Sequence, residues 1–219
     1  MVSPVRKQKD QQRRTQTRTS LLQAAAQVFS RQGYHTTLIS EIVATAGVGQ
    51  GTFYRNFENK REIFEQLFDD FIASAMEKFS GMTSELPSSV SEYVDASVQA
   101  VTAMALDLEN DRNLLLIFLR EGPAIDKAFA TKMADVFDQF AALARFYLDY
   151  AIEEGFARPC NSEIVSQCIV GMGLRHIERW LDGRASGQDL EDSIKSIIDF
   201  AFYGIAPSAA INAIPAKSQ

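Results

Sequence analysis

The sequence predicts an all-α fold of about nine helices, and three observations predict it. Prolines stand only at 4, 87, 123, 159, 207 and 215, which leaves long intervals free to be helical. Apolar residues recur at spacings of three and four: Leu21, Leu22, Ala25, Val28 and Phe29 fall on one helical face, and Ile63, Phe64, Leu67, Phe68 and Phe71 on another. No sustained alternation of period two competes with them.

The helices are expected at about 12–32, 38–45, 50–56, 60–80, 89–108, 111–120, 125–154, 162–182 and 189–204. Gly33 stops the first helix in a left-handed turn, and the Thr37 hydroxyl caps the second. The second and third helices flank a turn at Gly47, with Ile39, Ile42, Val43 and Ala46 facing inward and Val48 as a plug, which is helix-turn-helix construction. Pro87-Ser88-Ser89 opens the fifth helix, Gly122-Pro123 separates the sixth from the seventh, and Asn161 or Ser162 caps the eighth. The tail from Pro207, small and polar, is expected to be disordered.

At 219 residues and 46% apolar content the chain can build a proper core as a soluble protein. No apolar run is long enough to span a bilayer and none follows the basic N-terminus as a secretory signal would, so a cytoplasmic, membrane-free location is expected. The net charge of −6 hides a division. Residues 1–61 hold ten Lys/Arg against Asp10, Glu41 and Glu58, a balance of +7, and the rest carries −13. A basic head on an acidic body points the head alone at a polyanion.

The stretch GVGQGTFYRNF, residues 47–57, concentrates the chemistry. Phe53 and Phe57 lie one turn apart and must enter the core, so Gly51, Thr52 and Arg55 project from the opposite side. These residue types suit a major groove. Gln50 and Asn56 offer paired donor and acceptor to a base edge, Thr52 offers a hydroxyl or a methyl, and Arg55 reaches guanine or phosphate. Gly51 lets the backbone approach closely, while Tyr54 and Lys60 are placed to meet phosphates. Arg6, Lys7, Lys9, Arg13, Arg14 and Arg18 form a basic arm beside them, and the combination points to duplex DNA.

Residues 29–68, FSRQGYHTTLISEIVATAGVGQGTFYRNFENKREIFEQLF, resemble the N-terminal domain of TetR-type transcriptional regulators. The resemblance lies in the Gly-Tyr turn, the I-x-x-x-A-G-V core, the G-T-F-Y-x-x-F recognition helix and the Asn-Lys opening of helix four. It implies that Thr37 and Ser40, with Gln50, Gly51, Thr52, Tyr54, Arg55, Asn56 and Lys60, occupy DNA-contacting positions. Gly49 stands where the family often has a capping serine, and Asn56 where it often has histidine.

The resemblance further implies a DNA-binding domain over 1–61, joined by helix four to a helical ligand-binding and dimerisation domain over 62–206, with the tail at 207–219. Met104, Phe118, Phe129, Met133, Phe137, Phe140, Tyr147 and His176 are the candidate ligand-lining residues, and they favour an apolar or aromatic small molecule. The helix over 162–181 is apolar around most of its circumference and the last helix continues the trend. Ile169, Gly173, Trp180, Ile194, Ile198 and Phe202 are accordingly expected at a four-helix homodimer contact, with one well-buried intramolecular core as the alternative.

The expected function is a DNA-binding regulator, read as a repressor released from a palindromic operator by its ligand. A helical small-molecule-binding or protein-interaction scaffold without sequence-specific DNA binding is the alternative. Enzyme chemistry is not expected: Cys160 and Cys168 lack a His/Asp arrangement, no loop cradles phosphate, and His35 and His176 are isolated. No cofactor and no metal are expected either, since neither cysteine sits in a CxxC spacing.

Overall fold

The computed structural model describes residues 4–82, 86–184 and 190–205. Among them are nine helices and no strand: α1 (Pro4–Gln32), α2 (Ile39–Ala46), α3 (Gln50–Tyr54), α4 (Lys60–Met82), α5 (Val90–Asn110), α6 (Arg112–Ile125), α7 (Lys127–Glu153), α8 (Ser162–Leu181) and α9 (Leu190–Ile205). The tail from Pro207 lies outside the described residues. None of the described helices is long and apolar enough to cross a membrane.

Two helices depart from expectation at their ends. α1 begins at Pro4, not near residue 12, because a proline in the first turn lacks only an amide that would be unpaired anyway and nothing in the Lys/Arg/Gln-rich stretch behind it breaks a helix. α6 runs through Gly122 and Pro123 to Ile125. A proline this close to the end removes a single hydrogen bond, and the break falls instead at the extended Asp126, whose Oδ1 accepts the Phe129 amide at 2.8 Å and opens α7.

The α1–α2 turn also closes differently. Gly33, at φ 85°, ends α1 as expected. Thr37 does not cap α2; its hydroxyl donates back to the Gly33 carbonyl at 2.6 Å, and Leu38 takes the cap position. Glu41 supplies the missing acceptor for the Leu38 amide at 2.9 Å and also receives the Gln32 side-chain amide at 2.7 Å. Those two bonds, the backbone one first, hold the Glu41 carboxyl below its ordinary range. Farther along, at the start of α5, Ser89 Oγ accepts the Glu92 amide at 3.2 Å while the Glu92 carboxylate accepts the Ser88 amide at 2.8 Å, and Asn161 caps α8 by accepting the Ile164 amide at 3.2 Å.

The chain divides into two compact units, Met1–Ser74 with Asp111–Ala130, and Ala75–Asn110 with Thr131–Gln219. The core of the first is aromatic. Phe64 stands edge-on to Phe29 at 5.3 Å and to Phe118 at 5.1 Å, and Phe68 meets Phe118 at 5.2 Å and Phe129 at 5.1 Å. Phe118 and Phe129, expected along a ligand pocket, are instead part of this packed core, at 1% and 0% exposure. In the second unit Tyr93, Tyr147, Leu148, Ala151 and Ala157 form one cluster. Ile194, expected at a contact between copies, is buried within the chain against Val101, Trp180 and Ile198.

Candidate nucleic-acid interface

The geometry of α3 follows from its two phenylalanines. Phe53 and Phe57 are buried, at 0% and 2% exposure, with ring centroids 5.8 Å apart. Each ring removed from water contributes about 2–3 kcal/mol, enough to fix which way so short a helix faces. With that side committed, Gln50, Gly51, Tyr54 and Arg55 are exposed and Thr52 is half-buried beside them. Gly47, left-handed at φ 67°, ends α2 with its amide on the Ala44 carbonyl, and the Val48 amide returns to Val43 at 3.0 Å, so α2 and α3 are joined by three residues.

The exposed side chains are partly ordered before any partner arrives. Arg55 donates through Nη2 to Thr52 Oγ1 at 2.9 Å, and Tyr54 stands edge-on to Phe53 at 5.5 Å with the residue 55% exposed. Asn56 folds its amide back, Nδ2 donating to the Thr52 carbonyl at 2.8 Å, so it serves the end of α3 as well as its surface. Ser40 is exposed on the first turn of α2, close in sequence to the exposed Leu38. Lys9, Arg13 and Arg14 are exposed on α1, whereas the side chains of Arg6 and Lys7 lie outside the described residues.

Three expected contacts are reassigned by the geometry. Thr37 is 1% exposed with its hydroxyl bonded internally, so its side chain cannot meet a partner. Lys60 points inward: Nζ donates to the carbonyls of Tyr34 at 2.7 Å, His35 at 3.1 Å and Thr37 at 2.8 Å, and lies 4.5 Å from the Tyr34 ring centre. An ammonium has three N–H groups, and all three are taken. Partial burial lowers its pKa, a shift opposed by the nearby Glu121 carboxylate. Arg18 is likewise internal, donating to the Asn56 carbonyl at 2.6 Å and Gln66 Oε1 at 3.1 Å with its guanidinium 4.1 Å over the Phe57 ring. It belts α1 to the segment that follows α3 and is not part of a basic arm.

Sequence reasoning missed Leu38, which is 62% exposed at the start of α2, and Glu121, whose carboxylate accepts the Tyr34 amide at 2.9 Å and the His35 amide at 3.2 Å. Nothing in the sequence ties Glu121, a polar residue near a helix end, to Tyr34, 87 residues away.

In the second unit Met133 and Tyr147 are buried and Phe137, Phe140 and His176 are half-buried, while the Met104 side chain lies outside the described residues. Ile169, Gly173, Trp180, Ile198 and Phe202 are half-buried on α8 and α9. Phe146, Ile164 and Phe200 are large, apolar and exposed, and none of them belongs to the expected pocket or dimer sets. Cys160 and Cys168 are free thiols, and no cluster of three or more metal-ligating side chains occurs among the described residues.

Residues 21–67 match the model of the bacterial regulatory proteins of the tetR family. The chain is 27% identical over 195 residues to YdgC of Bacillus subtilis, an HTH-type transcriptional regulator itself uncharacterized, spanning 88% of this chain and 94% of that protein. Among solved structures, FadR of Bacillus subtilis in complex with stearoyl-CoA superposes with a TM-score of 0.71 at 20% identity, covering 85% of this chain and 98% of the other. NalD, the secondary repressor of the MexAB-OprM multidrug efflux pump in Pseudomonas aeruginosa, gives 0.69 at 22% identity, covering 88% and 96%. With the helix-turn-helix, its outward polar face and these relatives in agreement, residues 21–67 are a DNA-binding domain of the tetR family and the chain is a DNA-binding transcriptional regulator of that type.

Proposed function

We propose that this regulator is a repressor that binds a palindromic operator as a homodimer and leaves it when an apolar small molecule occupies the second unit. The observation that carries the DNA part is the burial of Phe53 and Phe57, which leaves Gln50, Gly51, Tyr54 and Arg55 outward together. Arg55 and Gln50 read base edges, Thr52 braces Arg55, Tyr54 and Ser40 meet phosphates, and Asn56 holds the end of the reading helix. The DNA-binding domain spans 1–61 and the ligand-binding and dimerisation domain 62–206. A protein that acts on operator DNA works in the cytoplasm.

The ligand part is supported by the stearoyl-CoA bound to the FadR relative and by the apolar inventory of the second unit. Met133, Phe137, Phe140 and Tyr147 line the site on this reading, and His176, whose Nε2 is buried without a hydrogen-bond partner, gives it one polar contact. Dimerisation uses α8 and α9 through Ile169, Gly173, Trp180, Ile198 and Phe202, and the exposed Phe200 extends the same surface. A two-fold axis then sets two α3 helices on successive major grooves. α4 runs from Lys60 into the second unit, so a ligand that binds one arrangement of the heads more tightly shifts the DNA equilibrium.

The test is selection of a preferred duplex from a random-sequence pool, followed by Arg55→Ala and Tyr54→Ala on that duplex. Arg55→Ala should weaken binding by about 1–3 kcal/mol and relax preference at one position in each half-site. Tyr54→Ala should weaken binding without changing preference. Equal affinity of both variants and the parent rejects the assigned face, and a chain that sediments as a monomer at micromolar concentration rejects the operator geometry.

A further inference from the structure

The turn between α1 and α2 is held by side chains from three helices, and its polar backbone groups can be followed one by one. Gly33 at φ 85° turns the next two amides to the same side, where those of Tyr34 and His35 donate to a single oxygen, Oε2 of Glu121, at 2.9 and 3.2 Å. Successive amides converging on one anionic oxygen form a nest, and here the anion is supplied by the chain itself. The carbonyls of Tyr34, His35 and Thr37 go to Lys60 Nζ, the Gly33 carbonyl to Thr37 and the Leu38 amide to Glu41. The approach of Glu121 is close enough that a Cβ built on Gly33 would stand 2.6 Å from Oε1.

Of these side chains, Glu121 is the one from α6; the others belong to α2, α4 or the turn itself. α6 has a second grip on the head. Asp126, the residue that ends it, pairs with Arg61, the neighbour of Lys60. The contacts close a ring: Glu121 to the turn, the turn to Lys60, Lys60 along the chain to Arg61, Arg61 to Asp126, and α6 back to Glu121. The turn in this ring leads directly into α2, and α2 into α3 three residues after its end.

We propose that Glu121 is a positioning residue for DNA binding: its carboxylate, carried on the last turns of α6, fixes the α1–α2 turn and thereby the angle at which α2 and α3 are presented. This rests on the DNA-binding reading. It makes a prediction of unexpected sign. Glu121 is an anion near a face meant for a polyanion, so electrostatics alone predicts that neutralising it tightens duplex binding. Positioning predicts the opposite, since the two amides lose the acceptor that orders the turn.

The experiment compares the parent with Glu121→Ala and Glu121→Gln on a duplex selected by the parent, with affinity corrected for the folded fraction of each variant. Exchange of the Tyr34 and His35 amides is followed by NMR on the same samples. Glu121→Ala should bind about tenfold more weakly, the loss expected for hydrogen bonds to a charged group. Exchange should speed up at Tyr34 and His35 first. Glu121→Gln, which keeps a carbonyl acceptor of the same reach, should fall between, and it carries the test if the alanine variant does not fold. A merely structural Glu121 would lower the melting temperature and leave the corrected affinity alone. Unchanged or tighter binding by both variants, with parental exchange at the two amides, overturns the inference. A parent chain that selects no duplex overturns the DNA-binding reading and this inference with it, an outcome distinct from a parent that binds and a variant that binds equally well.

Discussion

Lys60 has three N–H groups to give, and it gives them to three carbonyls of one turn. Lys60→Met should therefore cost about 1–2 kcal/mol in a denaturant titration, a figure at the lower end for charged hydrogen bonds because the site is only partly buried. Gly33→Ala tests the same turn from the other side. Alanine at φ 85° costs about 1 kcal/mol of backbone strain, and its Cβ would also push the Glu121 carboxylate off the two amides. The two effects should be non-additive: in a Glu121→Ala background the substitution should cost less, and a double-mutant cycle measures the difference. None of these partners was legible in the sequence. The outward set on α3 was, because Phe53 and Phe57 stand one turn apart and periodicity alone decides which face is buried. Lys60 and Thr37 looked like surface residues because their partners lie across a turn whose path no periodicity describes, and Glu121 because its partners are 86 and 87 residues away.

At the scale of elements, helix starts carry much of the pH dependence. Glu41 at α2, Glu92 at α5 and Asp126 at α7 all have lowered pKa values. The first two are lowered mainly by the backbone amides of Leu38 and Ser88, the third mainly by Arg61 and then by the Phe129 amide. A carboxyl held below its unfolded value contributes stability that is present above about pH 4 and is lost as pH falls through the lowered value. Acid melts should therefore lose stability below that point, and Asp126→Asn should flatten the acid limb while lowering the plateau. On the alkaline side Tyr93 contributes alongside Tyr34, Tyr147 and Tyr150, whose pKa values are also raised. Buried on α5 against Tyr147, the Tyr93 hydroxyl is pushed up to about 12 by burial first and by Tyr147 second. A raised pKa gives stability that is present below about pH 10 and lost as pH climbs toward the raised value, roughly 2–3 kcal/mol over the interval. Tyr93→Phe should remove its share of that slope and leave the shares of the other tyrosines, as followed by circular dichroism. The helices themselves were largely readable from spacing. Their ends were not: Pro123 sits inside α6 because a proline near a C-terminus costs little, and the stop at Asp126 depends on a cap and an ion pair that only the folded chain assembles.

For the whole molecule the uneven charge is the feature that bears on function, since residues 1–61 hold +7 within a chain of −6. Among the cations whose side chains are described, the fold makes two groups. Arg18, Lys60 and Arg61 are engaged inside the first unit, by Asn56 and Gln66, by three carbonyls, and by Asp126 and Glu65. Lys9, Arg13, Arg14, Arg31 and Arg55 are exposed. Of these two groups only the exposed one can displace counterions from a duplex, so the salt dependence of binding should distinguish the groups where total charge cannot. Each phosphate deprived of its protein cation lowers the slope of log affinity against log salt by roughly 0.9. Arg13→Gln with Arg14→Gln should make that slope shallower, whereas Lys60→Gln, which removes the same kind of charge from the same head, should weaken binding through the turn and leave the slope close to that of the parent. Titrating a selected duplex at several salt concentrations decides it. A slope that falls for Lys60→Gln as it does for the arginine pair would mean that the ammonium leaves its carbonyls for phosphate when DNA arrives, and the turn would then be remade on binding instead of being set beforehand.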